Sequence, residues 1–460
     1  MKKITLYMLS ATLLCSVAFT AKAQKQAPPE GGTPKDFVLP SKKQNTLPNG
    51  MRTTMVEYGT LPKVYVNLII KTGNVQEASN QVWLSDLLGR LMNEGTTSLS
   101  ATALAKKAAG MGGQVGVSVG SDQFTIYGSA LSEYAPELVK LIADVAINPL
   151  LPASEIDRLR ADLKRQLALN KSVPQSIAQE KFFNVMWGDT PYGTLYPTET
   201  MLDSYTIDDV KKFFNDNLGA KRSVLYVAGK FDEAATAKAA TASFSKWKAG
   251  PEPSYPSISP NAAAGVSVID RKGAPQTTVI IGLPVINPKN PDYLPLTIMN
   301  SLLGGSFASR ITSNIRENKG YTYSPSSSIS SHPSGAVWYE AADITSEHTI
   351  DAITEIKKEV VRLQTEAPSA DELGGIQRYN AGIFVLQNST PTGIISQLNF
   401  LDIYGLDDSY LTNRVKNIYA VTPQQVSDLT KKYLPTDKMA IVMVGDETSI
   451  KEQQSKAGNN

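Results

Sequence analysis

Cysteine and histidine are nearly missing from this 460-residue chain, which has one Cys and two His. The Cys, Cys15, falls in an N-terminal stretch with the marks of a removable leader, so the rest of the chain is expected to carry no thiol. That excludes disulfides, zinc–thiolate sites, iron–sulfur clusters and Cys nucleophiles. His332 and His348 stand 16 residues apart and cannot make a three-His metal site. An excess of either charge is also missing, with 45 Lys and Arg against 43 Asp and Glu. Once Lys2, Lys3 and Lys22 leave with the leader, 42 basic residues face 43 acidic ones. Such balance leaves no electrostatic footprint for nucleic acid. Long apolar runs are missing too. Ile4 to Phe19 is shorter than the roughly 20 residues a membrane span takes, and no later stretch is apolar enough to cross.

What is present begins with an address. Met1-Lys2-Lys3 is basic, the apolar stretch follows, and Ala21-Lys22-Ala23 is a small-x-small cleavage pattern. Residues 1–23 are therefore expected to be a signal peptide, with export to the periplasm or beyond the cell. Lipid attachment at Cys15 is the weaker alternative, because Leu14 occupies the place of a small residue. Residues 24–43, rich in Pro, Gly, Lys and Gln, read as an extended arm.

Length alone suggests about three domains; an internal repeat reduces that to two. At an offset near 215, Leu87-Leu88-Gly89 recurs as Leu302-Leu303-Gly304, and Ala153-Ser154-Glu155-Ile156 as Ala370-Asp371-Glu372-Leu373. Thr206-Ile207-Asp208-Asp209-Val210 returns as Thr422-Pro423-Gln424-Gln425-Val426, and Val224 to Gly229 as Ala440 to Gly445. Matches in one order at a nearly constant offset indicate a duplicated domain, since a solenoid would repeat faster. Each half opens on strands, near Val64 to Lys71 and Thr277 to Leu283. A helix comes next, near Val82 to Met92 and Tyr293 to Leu303. Strands follow around Gln114 to Ser129 and Tyr321 to Ala342. Helices are expected over Glu133 to Ile147, Ser154 to Leu169, Thr349 to Gln364 and Ala370 to Gln387, then Thr-capped ones after Thr206 and Thr422. The plan is α+β: two homologous lobes, each a mostly antiparallel sheet packed with helices. Residues 44–245 form the first lobe and 265–454 the second. The Pro- and Ser-rich segment 246–264 links them.

The order of elements and three motifs resemble the pitrilysin/insulinase-type, or inverzincin, metallopeptidases, a group that includes mitochondrial processing peptidase and the core subunits of respiratory complex III. Leu47-Pro48-Asn49-Gly50-Met51-Arg52 is similar to that family's opening strand. Met92-Asn93-Glu94-Gly95-Thr96 is similar to the stretch after its zinc helix. Ile315-Arg316-Glu317-Asn318-Lys319-Gly320-Tyr321-Thr322-Tyr323-Ser324 resembles the signature of its second domain. The family's catalytic helix carries His-x-x-Glu-His: two His bind zinc and the Glu is the general base. Alignment on Glu94-Gly95-Thr96 places Asp86 at the first His, Gly89 at the base and Arg90 at the second His. Arg90 is a permanent cation and cannot ligate zinc. No Glu between Glu155 and Glu180 offers a third ligand, and Ser301-Leu302-Leu303-Gly304-Gly305 has no ligand either. This chain is therefore expected to hold no zinc and to cleave no peptide alone.

The resemblance implies that Arg316 and Tyr323 reach a zinc site on a facing domain and hold the substrate backbone and oxyanion. Their chemistry suits that role, one offering a fork of N–H donors and the other a phenol hydroxyl. On residue types alone, Arg316 also reads as a helix C-cap and Tyr323 as packing on the sheet. Some relatives work as pairs, one subunit bearing zinc and the other the Arg/Tyr pair. The expectation is thus a non-catalytic subunit of a heteromeric zinc endopeptidase, with zinc in a homologous partner and unfolded peptide as substrate. Tyr321 and Ser324 would flank the site. The alternative is a non-enzymatic structural or peptide-binding scaffold of the same fold. Other features read as structural: Ser326 to Ser331 as a polar-faced strand, Gly304-Gly305-Ser306 as a flexible loop ahead of one allowing close backbone approach, His332 as a turn residue, His348 as a surface loop or helix start, and Glu355 to Arg362 as a solvated helix face.

Overall fold

In this computed structural model, residues 37–261 and 264–457 are described; the expected signal peptide with Cys15, and most of the expected arm, lie outside them. Alternating apolar residues build two sheets. The first contains β1 (Lys42–Thr46), β2 (Arg52–Glu57), β3 (Lys63–Ile70), β4 (Gln114–Val119), β5 (Phe124–Leu131) and β6 (Ser223–Gly229), in the order β1-β2-β6-β3-β5-β4. The second contains β7 (Gly265–Asp270), β8 (Gln276–Val285), β9 (Ser326–His332), β10 (Gly335–Thr345) and β11 (Ala440–Gly445), in the order β7-β11-β8-β10-β9. Apart from β1 the two orders are the same. In each sheet only the pair β2–β6 or β7–β11 is parallel. The repeat in the sequence is thus a repeat of topology, and the fold is α+β with helices packed on two largely antiparallel sheets.

Several local expectations change. β1 starts inside the predicted arm and pairs antiparallel with β2. The Leu47-to-Arg52 segment is mostly the turn between them. Leu47 N donates to Met51 O at 2.8 Å, and Gly50 sits at φ +88°, where glycine meets no Cβ penalty. In the second lobe the strand expected from Tyr321 begins only at Ser326, as β9. Pro325 offers no N–H to a ladder, and before it only Thr322 bridges to Ile344. The helices at Tyr293–Leu303 and Ala370–Gln387 occupy their expected spans. Thr206 caps Ile207–Asn217 reciprocally: Asp209 N donates to its hydroxyl at 3.2 Å and Thr206 N to the Asp209 carboxylate at 2.9 Å.

Two helices missed in the sequence brace the lobes. Pro174–Trp187, from the first half, lays Ala178, Phe182 and Met186 on Ile280, Val442 and Val444 of the second sheet. Pro391–Tyr404, from the second half, lays Ile394, Ile395 and Leu398 on Val56, Val224 and Tyr226 of the first. This exchange buries β6 and β11 at every residue, which is why both read as unbroken apolar runs. Asp402 adds a polar tie: its carboxylate accepts from Arg52 Nη1 at 2.7 Å and from the Tyr226 hydroxyl, and its carbonyl from Lys71 Nζ at 3.0 Å. A second tie joins the hairpin tips. His332 Nδ1 lies 2.9 Å from Asp122 Oδ2, Tyr192 donates to Asp122 Oδ1 at 2.7 Å, and the Tyr192 and His332 rings stack at 4.0 Å. His332 is therefore a lobe-to-lobe contact rather than a simple turn residue. No helix among the described residues is long and apolar enough to cross a membrane.

Candidate functional site

Arg316 lies near the end of a helical segment, Thr312–Asn318, wound wider than an α-helix: Lys319 N donates five residues back to Asn314 O at 3.1 Å. Gly320, at φ +67°, ends it, and Tyr321 N closes the turn on Ile315 O at 2.8 Å. The chain is then pinned beside β10. Thr345 N donates to Tyr321 O at 2.9 Å, the Thr322 hydroxyl to Asp343 O at 2.7 Å, and the Tyr321 ring stacks on His348 at 4.3 Å. Tyr321 is consumed by this anchoring, while Tyr323 emerges 79% exposed and Ser324 is exposed beside it. The Arg316 guanidinium carbon sits 4.7 Å from the Tyr323 ring centre and 4.6 Å from that of Phe307, itself 65% exposed. The two predicted residues are thus together. They lie on an open face rather than in an enclosed cavity, and Tyr323 does not pack on the sheet.

The scaffold beneath is built from polar groups the sequence did not flag. Asn314 Nδ2 donates to Glu355 at 2.8 Å and to Glu359 at 2.7 Å, fixing the Arg316 helix to Thr349–Thr365. Glu359 is buried, so the Glu355-to-Arg362 run is not merely a solvated face. The Gly304-Gly305 loop is tightly held rather than flexible. Both amides donate to Asn300 O, at 3.0 and 2.8 Å, and Gly304 O accepts from Ser327 N at 3.1 Å. A Cβ on Gly305 would lie 2.5 Å from Asn300 Nδ2, and one on Gly304 would collide with Glu340. Glu340 is 1% exposed with neither oxygen in a well-formed hydrogen bond, and burial, outweighing the Ser326 amide, pushes its carboxyl well above the usual range.

The degenerate positions lie on Leu84–Met92 of the first lobe. Asp86 accepts from Asn74 Nδ2 at 2.7 Å; burial raises its pKa against that bond and the Arg90 charge. Gly89 is packed against β4, where a Cβ would come within 2.5 Å of Val119 Cγ2. Next to them Glu77 accepts from the backbone of Trp83 (3.0 Å) and Ser85 (2.8 Å), and burial pushes its carboxyl up to about 8.

Residues 53–197 match the family described as Insulinase (Peptidase family M16), and residues 204–379 match its companion, the Peptidase M16 inactive domain. The chain belongs to the peptidase M16 family. It is similar to an uncharacterized zinc protease of Rickettsia felis, 26% identical over 71% of this chain and 79% of that protein. It is also similar to the uncharacterized zinc protease YmxG of Bacillus subtilis, 22% identical over 87% and 98%. Among solved structures it resembles a peptidase M16 inactive domain from Pseudomonas fluorescens, with TM-score 0.80 and 23% identity over 88% of this chain and 98% of that one. A protease from Helicobacter pylori superposes with TM-score 0.81 and 18% identity, over 89% and 100%.

The zinc that the M16 resemblance implies does not fit the residues standing at its place. Asp86 offers one carboxylate already engaged by Asn74, Gly89 offers no donor, and Arg90 is a cation. Among the described residues no three His, Cys, Asp or Glu are grouped to hold a metal ion. In this M16 chain the first-lobe helix is packed as structure. In the second lobe the half-buried Arg316 lies against two exposed rings, Tyr323 of the signature and Phe307 of the loop before it.

Proposed function

We propose that this chain is the non-catalytic subunit of a heteromeric zinc endopeptidase. It supplies Arg316 and Tyr323 in trans to a homologous, zinc-bearing partner acting on unfolded peptides outside the cytoplasm. The carrying observation is that Arg316, on an open face, makes no ion pair with any carboxylate among the described residues and is stacked with an exposed Tyr323. An unpaired guanidinium is suited to a peptide carbonyl, and the phenol to the charge that develops on it during hydrolysis. The zinc and the general base would both come from the partner, because Asp86, Gly89 and Arg90 supply neither. The braced lobes support the same reading: the wall opposite Arg316 is then a second chain, not a lobe of this one hinging closed. The test is reconstitution with the zinc-bearing subunit. Peptide hydrolysis is expected only in the mixture, falling about 100-fold or more with Arg316→Ala and by a smaller factor with Tyr323→Phe. Hydrolysis by the mixture that ignores both substitutions rules the assignment out.

A further inference from the structure

We propose that Phe307 is a third member of this site, a positioning residue that holds the Arg316 guanidinium ready for a backbone carbonyl of the bound peptide. The inference rests on the in-trans reading for its substrate, but on geometry for its core. Phe307, 65% exposed, does not stand alone: with Tyr323, 79% exposed, it forms an aromatic pair around Arg316, and the loop carrying it is not loose. Gly304 and Gly305 are tied to Asn300, and Ser306 O accepts from Ser309 N at 3.1 Å and from the Thr312 hydroxyl at 3.4 Å. A rigid loop therefore delivers the ring to one place, and that place is the guanidinium, 4.6 Å away. Tyr323 meets the same group at 4.7 Å. Ring contacts engage the charge of a guanidinium without using its N–H donors. Arg316 is thus fixed by two aromatic rings while its donors stay available for a planar oxygen acceptor, a state that a carboxylate partner would have ended.

Phe307 touches Arg316, so its effect on turnover passes through Arg316. The first experiment is the rate at which phenylglyoxal modifies Arg316 in the full chain, read by mass spectrometry. Phe307→Ala is expected to speed modification about two- to five-fold, and Phe307→Tyr to keep the wild-type rate. No change with Ala, or equal acceleration with Tyr, overturns the proposal. The second is a double-mutant cycle on kcat/KM in the reconstituted enzyme. Phe307→Ala is expected to lower it about two- to five-fold alone and not at all in the Arg316→Ala background. The same further loss in that background overturns the proposal, since Phe307 would then meet the substrate directly. Amidated and free-acid forms of one peptide should depend on Arg316 equally; dependence confined to the free acid overturns the carbonyl assignment. Should Arg316→Ala leave turnover unaltered, the in-trans reading fails, and the phenylglyoxal rates alone then decide whether Phe307 positions Arg316.

Discussion

A carboxyl that is 1% exposed, with no ion-pair partner and only the Ser326 amide to favour its charge, is driven toward its neutral form by burial, and Glu340 is such a group. Below the ordinary carboxylate pKa both folded and unfolded chains hold the proton, and nothing is lost. As pH rises above it, the unfolded chain releases a proton that the folded chain keeps. Stability then declines by up to about 1.4 kcal/mol per pH unit until the folded pKa is reached. Glu77 acts in the same direction between 4.5 and about 8. Glu340→Gln is expected to gain stability over the wild type on going from about pH 5 to about pH 8 in urea unfolding, and a gain independent of pH would contradict the neutral assignment. That Arg316 and Tyr323 lie together was legible because their motif is local in sequence. Phe307 was not, because nothing in the sequence places residue 307 against residue 316 before the loop and helix are built.

At the scale of elements, Leu84–Met92 has become a packing helix. Gly89 lets it approach β4 so closely that a methyl group would meet Val119 at 2.5 Å. Gly89→Ala is expected to cost about 1–3 kcal/mol in thermal or chemical unfolding, with Val119→Ala recovering part of it. A neutral Gly89→Ala would show that the contact relaxes freely. The helix bearing Arg316 depends on Asn314, whose amide joins Glu355 and Glu359. Asn314→Ala leaves the buried Glu359 short of a donor and is expected to cost about 1–3 kcal/mol, again by unfolding. The helix after Thr206 was legible from its cap, and Tyr293–Leu303, which has no side-chain cap, from its place in the repeat. Pro174–Trp187 and Pro391–Tyr404 were missed because the surface each one covers belongs to the opposite half of the chain.

At the scale of the whole molecule, the duplicated α+β plan was legible because short matches recur in order; the exchange of helices between halves was not, since a repeat does not reveal which copy its elements pack on. That exchange predicts one cooperative unfolding transition for both lobes. Asp402→Ala removes the acceptor of Arg52 and Tyr226 and is expected to destabilise by about 1–3 kcal/mol in calorimetry. An unchanged transition would mean that the apolar braces alone join the lobes. The account as a whole depends on this chain having no hydrolytic centre of its own. The most direct measurement is cleavage of a quenched fluorescent oligopeptide by the purified chain alone, supplied with zinc, with and without a chelator. The expected result is no chelator-sensitive cleavage until a zinc-bearing partner is added; steady cleavage by the lone chain, abolished by the chelator, would contradict it.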